Sequence, residues 1–245
     1  MIEGFLLINK PSGKTSYDCV EHIKRLIGKK VKIGHAGTLD PFATGLLIIA
    51  LERNATRILG QLLSLDKEYI AQGKLGIETD TLDVTGETIR YDARKSTEQE
   101  IRQAIERLGS SYLQTPPIYS ALKFEGNRLY ELARSGKKSM QELESMVHEK
   151  AKEVHLYALN LVDFDLPFFT IRAHVSHGTY IRSLVRDIAY EANNCATTYT
   201  LQRTKIGPYS IEQSVDLINL QTIDDIMQYV ISIDQFLESI PTQKN

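Results

Sequence analysis

The chain has 245 residues, 42% hydrophobic and 24% charged, which is enough apolar material for a full core and unlike a disordered segment. Its longest apolar runs, Leu46 to Leu51 and Phe5 to Ile8, fall far short of the ~20 residues that cross a bilayer, and the amino terminus shows no secretory leader pattern, so a cytoplasmic protein outside the membrane is expected. The net charge of -2 conceals its distribution: residues 1–34 carry seven bases against three acids, residues 121–140 five against two, and residues 211–245 six acids against one lysine.

In chain order, Gly4 to Asn9 reads as a buried strand. Thr15-Ser16-Tyr17-Asp18 has the form of a capping box ahead of a helix with Val20, Ile23 and Ile27 on one face and Gly28 as its stop. Val31 to Ile33 leads into a turn-rich loop from Gly34 to Gly45, followed by a strand over Leu46 to Leu51. Lys67 to Leu75 alternates with the period of a strand, setting Tyr69, Ala71, Gly73 and Leu75 on one face, and a turn-rich stretch runs on to Gly86. A helix is expected over Thr97 to Leu108, stopped by Gly109. Past Pro116-Pro117, Asn127 reads as the cap of a short helix ending at Gly136, within a basic, aromatic projecting loop. Strands follow at Val154 to Asp163 and Phe168 to Ser176, then a helix from Thr179 to Glu191 that sets Arg182 and Arg186 on one side. This order predicts a mixed α/β (α+β) domain over residues 1–210, with a largely antiparallel central sheet flanked by helices, and a short acidic helical tail over 211–245.

Chemistry concentrates in Gly34-His35-Ala36-Gly37-Thr38-Leu39-Asp40-Pro41-Phe42-Ala43-Thr44-Gly45, where three glycines, a proline, a histidine and one carboxylate lie between two apolar strands. A loop so placed holds an acid rigidly, although Asp40-Pro41 alone is more often a plain turn. An arginine such as Arg182 beside Asp40 would hold the acid ionised and fix its direction. Cys19 and Cys195 are too few for a disulfide framework or a zinc cluster and are expected to be buried thiols. His174 and His177 fall on opposite faces of a strand, and no phosphate-loop or dinucleotide glycine pattern occurs, so neither metal nor nucleotide cofactor is expected.

The string GHAGTLDPFATG closely resembles the catalytic-loop motif of the bacterial tRNA pseudouridine(55) synthases, the TruB family. KEYIAQGKLG with TDTLDVTGE, PPIYSALKFEGNRLYELAR, GTYIRSLVRDI and LQRTKIGPY are similar to further blocks of that family, in the family's order, and together they span about Gly4 to Tyr209. The resemblance implies a pseudouridine-synthase core with a central catalytic cleft, needing no cofactor. It makes Asp40 the carboxylate that acts on the ribose, Tyr69 the ring that stacks on the target base and the candidate to remove its C5 proton, and Arg182 the partner of Asp40. Leu201 would close the apolar side of the base pocket and His35 would fill the space left by the flipped nucleotide. Tyr180, Lys10, Lys123 and Arg128 are further expected contacts to substrate, the last two in an RNA-gripping insertion at about 120–150. The implied partner is the T-arm of tRNA, bound by a monomer that requires no protein partner, and the small RNA-binding domain that relatives add after the core is expected to be absent or truncated. Two rivals remain on residues alone: an Asp40 phosphoryl acceptor, which needs a magnesium-binding carboxylate cluster that Gly34 to Gly45 lacks, and a noncatalytic RNA-binding module.

Overall fold

The structure, a computed structural model, describes residues 2–238 except 121, 125 and 137, and leaves out the side chains of Lys123, Arg128 and Arg134. The elements run β1 (Gly4–Lys10), α1 (Ser16–Ile27), β2 (Ile33–Ala36), β3 (Thr44–Leu51), α2 (Glu52–Leu63), β4 (Lys67–Leu75), β5 (Ile77–Thr79) and β6 (Thr88–Tyr91). They continue with α3 (Glu98–Leu108), β7 (Ser111–Gln114), β8 (Lys123–Phe124), β9 (Asn127–Arg128), α4 (Leu129–Arg134), α5 (Met140–His148), β10 (Lys152–Asp165) and β11 (Phe168–Val175). The last are α6 (Ile181–Glu191), β12 (Ala196–Ile206), β13 (Tyr209–Ser210), β14 (Val215–Asp216), α7 (Ile223–Tyr229) and α8 (Ile233–Glu238). Strand pairing is mostly antiparallel, with β1–β14 and β3–β12 parallel, which agrees with the expected mixed class. The chain divides into two compact units, one of residues up to Tyr69 with those from Leu201 onward, the other Ile70–Thr200.

In the first unit β3 is the central strand, because Gly-Leu-Leu-Ile-Ile-Ala-Leu is apolar at every position and so is covered on both faces. It pairs antiparallel with β1 from Gly4 opposite Leu51 to Lys10 opposite Gly45. Alternation then separates two layers: Leu6, Ile8, Leu47 and Ile49 pack on Cys19, Val20 and Ile23 of α1, while Phe5, Leu7, Leu46 and Ile48 pack on Ala55 and Leu62 of α2. The capping box of α1 is present as expected, with Thr15 and Asp18 each accepting from the other's backbone N–H and Gly28 as the C-cap. The acidic tail belongs to this core, since β14 lies parallel to β1 and the Phe236 ring stacks on Phe5 at 3.8 Å and on Tyr209 at 4.3 Å. The other edge of β3 is shared end to end: β2 pairs with Ile48 to Leu51, and β12 pairs with Thr44 and Gly45.

In the second unit β11 lies between β4 and β10, and β7 pairs antiparallel with β10. Along β11, Phe169, Ile171, Ala173 and Val175 are buried and the intervening residues are not, as the alternation predicts. Segment 118–147 gathers a small core of its own, Leu129, Leu143, Met146 and Val147, against which Ile118, Leu122 and Phe124 pack. Asn127 departs from expectation: it pairs with Phe124 in the β8–β9 hairpin, and the short helix begins two residues later. The helix carrying Arg182 also starts later than Thr179, at Ile181, after an N-cap, Tyr180, that makes no side-chain capping bond.

Candidate active site

The Asp40 loop is held from behind by the segment that joins β1 to α1. Gly13 N–H donates to the Pro41 carbonyl at 2.8 Å and Ser12 Oγ to the Phe42 carbonyl at 2.9 Å. Ser16 Oγ accepts from Leu39 N–H at 2.9 Å, and within the loop Ala43 N–H closes onto the Asp40 carbonyl at 3.1 Å. These bonds satisfy a tight turn whose backbone groups would otherwise be orphaned and leave Asp40 half-buried at its apex. Neither Ser12 nor Ser16 stands out in the sequence as part of the site, because the signal for their role is a contact across the fold.

Lys10 is placed otherwise than expected. It is 0% exposed, and its ammonium donates to the carbonyls of Pro11 (2.9 Å), Lys14 (2.6 Å) and Pro41 (3.3 Å), so it braces the loop and does not offer its charge to RNA from the surface. Burial lowers its pKa to about 8, against a counter-effect from Asp40 among other neighbours. The unfolded chain keeps this proton up to about pH 10.5 and the folded chain only up to about 8, so in that window unfolding takes up a proton and stability rises with pH. Lys67, buried with its ammonium on the Leu63 and Leu65 carbonyls, is lowered to about 8 in the same way. Urea unfolding on either side of that window should therefore show a gain that Lys10→Met reduces but, because of Lys67, does not abolish; an equal gain in mutant and wild type contradicts it.

His35 lies in β2 opposite Ile49, with its Nδ1 buried and without a hydrogen-bond partner. Its pKa is lowered by burial first and then by the Arg203 guanidinium, so it is a neutral imidazole at neutral pH. Leu201, 6% exposed, opens the part of β12 in this unit, and Thr44 Oγ1 lies 3.5 Å from its carbonyl. Tyr69 is half-buried on β4 beside Glu68, which accepts from Thr204 Oγ1 at 2.8 Å and so ties that strand end to β12. The first unit thus brings Asp40, His35, Lys10, Tyr69 and Leu201 onto one framework.

Arg182 and Tyr180 belong to the second unit. Arg182, 5% exposed, donates to the carbonyls of Thr81 (2.5 Å) and Tyr119 (3.0 Å), and its Nη1 stands 3.4 Å from Asp83 Oδ2. Asp83 is also 5% exposed, and its Oδ1 accepts from Thr81 Oγ1, Thr85 N–H and Thr85 Oγ1. In sequence the stretch that holds this buried carboxylate, inside TDTLDVTGE, shows only the residues of a turn. Tyr180 is fixed through its backbone: its N–H donates to Gln114 Oε1 at 2.7 Å and its carbonyl accepts from Gln114 Nε2 at 3.1 Å. Lys123 and Arg128 pair across the β8–β9 hairpin, and their side chains lie outside the described part. Cys19 and Cys195 are buried and free. Among the described residues no group of His, Cys, Asp and Glu could hold a metal ion, and no helix is long and apolar enough to cross a membrane.

A mixed, mostly antiparallel fold that carries one carboxylate on a braced loop, with a tyrosine and a buried arginine in the other motif blocks, defines the class of the pseudouridine synthases. Among solved structures the chain is similar to one in a Cbf5-Nop10-Gar1 complex, at 25% identity and a TM-score of 0.70 over 96% of this chain and 62% of that one. It is also similar to a chain in an H/ACA RNP bound to a substrate RNA containing 2'-deoxyuridine, at 26% identity and a TM-score of 0.63, covering 89% of this chain and 52% of that one. This chain therefore spans about half to three fifths of the length of those two. The model of the TruB family pseudouridylate synthase N-terminal domain matches residues 24–181, and the chain belongs to that family. Relatives called tRNA pseudouridine synthase B include those of Thermotoga maritima, 39% identical over 98% of this chain and 74% of theirs, and Clostridium novyi, 40% identical over 96% and 78%. The one from Protochlamydia amoebophila is 37% identical over 95% of this chain and 85% of its own.

Proposed function

We propose that the chain isomerises uridine 55 in the T loop of tRNA to pseudouridine, with Asp40 as the acting carboxylate. The observation that carries this reading is the GHAGTLDPFATG loop, braced through Gly13, Ser12, Ser16 and Lys10 so that one acid is held in a fixed place, within a chain of the TruB family. The reaction breaks the N1–C1′ bond, turns the base and joins C1′ to C5. The C5 proton leaves and N1 takes one up, so no atom or electron is gained overall. Asp40 acts on the sugar, either as nucleophile at C1′ or as base at C2′. Extruding the target costs a few kcal/mol, which stacking on the Tyr69 ring offsets; Leu201 lines the apolar side of the base and neutral His35 fills the vacated space. Arg182 orients the acid, and Tyr180 stands with it at the head of α6.

A folded RNA arm is read through its shape, phosphates and 2′-hydroxyls. Arg25, Lys29, Lys30 and Lys32, all exposed, supply phosphate contacts on the first unit. The segment at about 120–150, with its own small core and with Lys123 and Arg128, is the RNA-gripping insertion of the catalytic fold, whose core takes in the acidic tail as well as residues 1–210. The enzyme acts in the cytoplasm as a single chain, without a protein partner. Nucleoside analysis of an unmodified tRNA transcript after incubation should show one uridine per molecule converted, in the T loop. No conversion, or conversion spread over other arms, contradicts the proposal.

A further inference from the structure

Arg203 is 1% exposed and among the largest fully buried side chains of the protein. It sits on β12 at the place where that strand runs into the shared edge of β3: Gln202 pairs with Thr44 and Arg203 with Gly45, whereas β2 takes the same edge only from Ile48 onward. Between those two stretches the edge has a gap, and the guanidinium spans it. Nε donates to the Leu46 carbonyl at 2.8 Å, just after the Asp40 loop, and Nη2 to the Gly37 carbonyl at 3.1 Å, just before it.

Of the two glycines that bound the loop, Gly45 is shaped around this residue and Gly37 lies in ordinary contact with it. Gly45, at φ +108, is where β12 comes closest, and a Cβ there would lie 2.3 Å from the Arg203 carbonyl oxygen. Gly37, at φ +84, would carry a Cβ 3.5 Å from Nη1. A buried guanidinium held by backbone carbonyls is costly to desolvate, so its presence calls for a reason beyond packing.

We propose that Arg203 is the positioning residue of the Asp40 loop: one planar fork fixes the carbonyls on both sides of the loop and thereby sets where the carboxylate stands. This rests on Asp40 being the acting acid, as argued above. Lysine keeps the charge but not the fork, since an ammonium on a flexible stem cannot reproduce two directed bonds to separate strands. The same charge adds to burial in lowering the pKa of His35.

The test compares Arg203→Lys with Leu6→Ala, a core truncation in the same unit away from the loop, at equal loss of stability. Arg203→Lys should lower kcat on a T-arm transcript by about a hundredfold, the cost of misplacing a reacting group by about an ångström, with KM within about twofold of wild type. Hydrogen exchange at the amides of Leu39 and Ala43, which close the loop, should be at least tenfold faster than in the Leu6→Ala control. Wild-type kcat in Arg203→Lys, or loop amides no faster than in the control, overturns the proposal. Failure of Arg203→Lys to fold where Leu6→Ala folds also overturns it, because the guanidinium would then support the unit and not the loop. If wild type converts no T-arm uridine, the functional reading fails, while the exchange measurement still decides the clamp.

Discussion

Asp40→Asn should lower the rate of pseudouridine formation by about four orders of magnitude, the scale seen when the acting group of a preorganised site is removed, while affinity for tRNA stays within a few-fold. The amide matches the carboxylate in size, and the bonds that brace the loop run through the backbones of Leu39, Asp40, Pro41 and Phe42, which the substitution leaves in place. The capacity to attack or deprotonate the ribose is lost, together with the charge that partly offsets the burial of Lys10. Single-turnover conversion and filter binding, measured side by side, separate the two effects. A mutant that turns over within tenfold of wild type removes Asp40 from the chemistry.

Asp83→Ala should destabilise the folded protein by about 3–5 kcal/mol, because it strips the carboxylate from a guanidinium that is itself buried. Arg182 and Asp83 are both 5% exposed, so water does little to compensate. The change also removes the acceptor of Thr81 Oγ1, Thr85 N–H and Thr85 Oγ1, which opens the turn that holds the Thr81 carbonyl against Arg182. Because the proposed reaction uses Arg182, turnover should fall along with stability. Urea unfolding and kcat measured below the transition test this. A loss below about 1 kcal/mol contradicts the view that the pair is a buried structural unit.

Local signals in the sequence recovered the elements whose causes are local. The capping box of α1 pairs residues three apart, the alternation in β11 is set by neighbours on one strand, and the apolar run of β3 marks burial on both faces. Helix α2 has no such start signal: its N-cap is Leu51, which makes no capping bond, so only the helical spacing of Ala55, Ile58, Leu59 and Leu62 on one face marks it. Part of the glycine-rich loop is strand, since Gly34, His35 and Ala36 pair with Ala50, Ile49 and Ile48, a ladder made by the partner strand and not by strand-forming residues in β2. Tyr180 takes the N-cap of α6 in place of Thr179 because Gln114, distant in the chain, holds its backbone.

The candidate site divides in the same way. Asp40, His35 and Arg182 stand out as candidates because the resemblance names them, whereas Asp83 and Arg203, inside the strings TDTLDVTGE and LQRTKIGPY, show what they do only through bonds between separate segments. Lys10 shows the reverse failure. A lysine in a basic stretch reads as surface charge, and only the three carbonyls that converge on its ammonium make its burial tolerable.

The most direct test of the central claim follows the C5 hydrogen itself. With a tRNA T-arm transcript labelled with tritium at C5 of its uridines, wild type should release the equivalent of one label per RNA into water, at a rate that matches product formation, and Asp40→Asn should release none above background. Release by the Asp40→Asn variant at the wild-type rate, or product formed by wild type with the label retained, would contradict an isomerisation driven by that carboxylate.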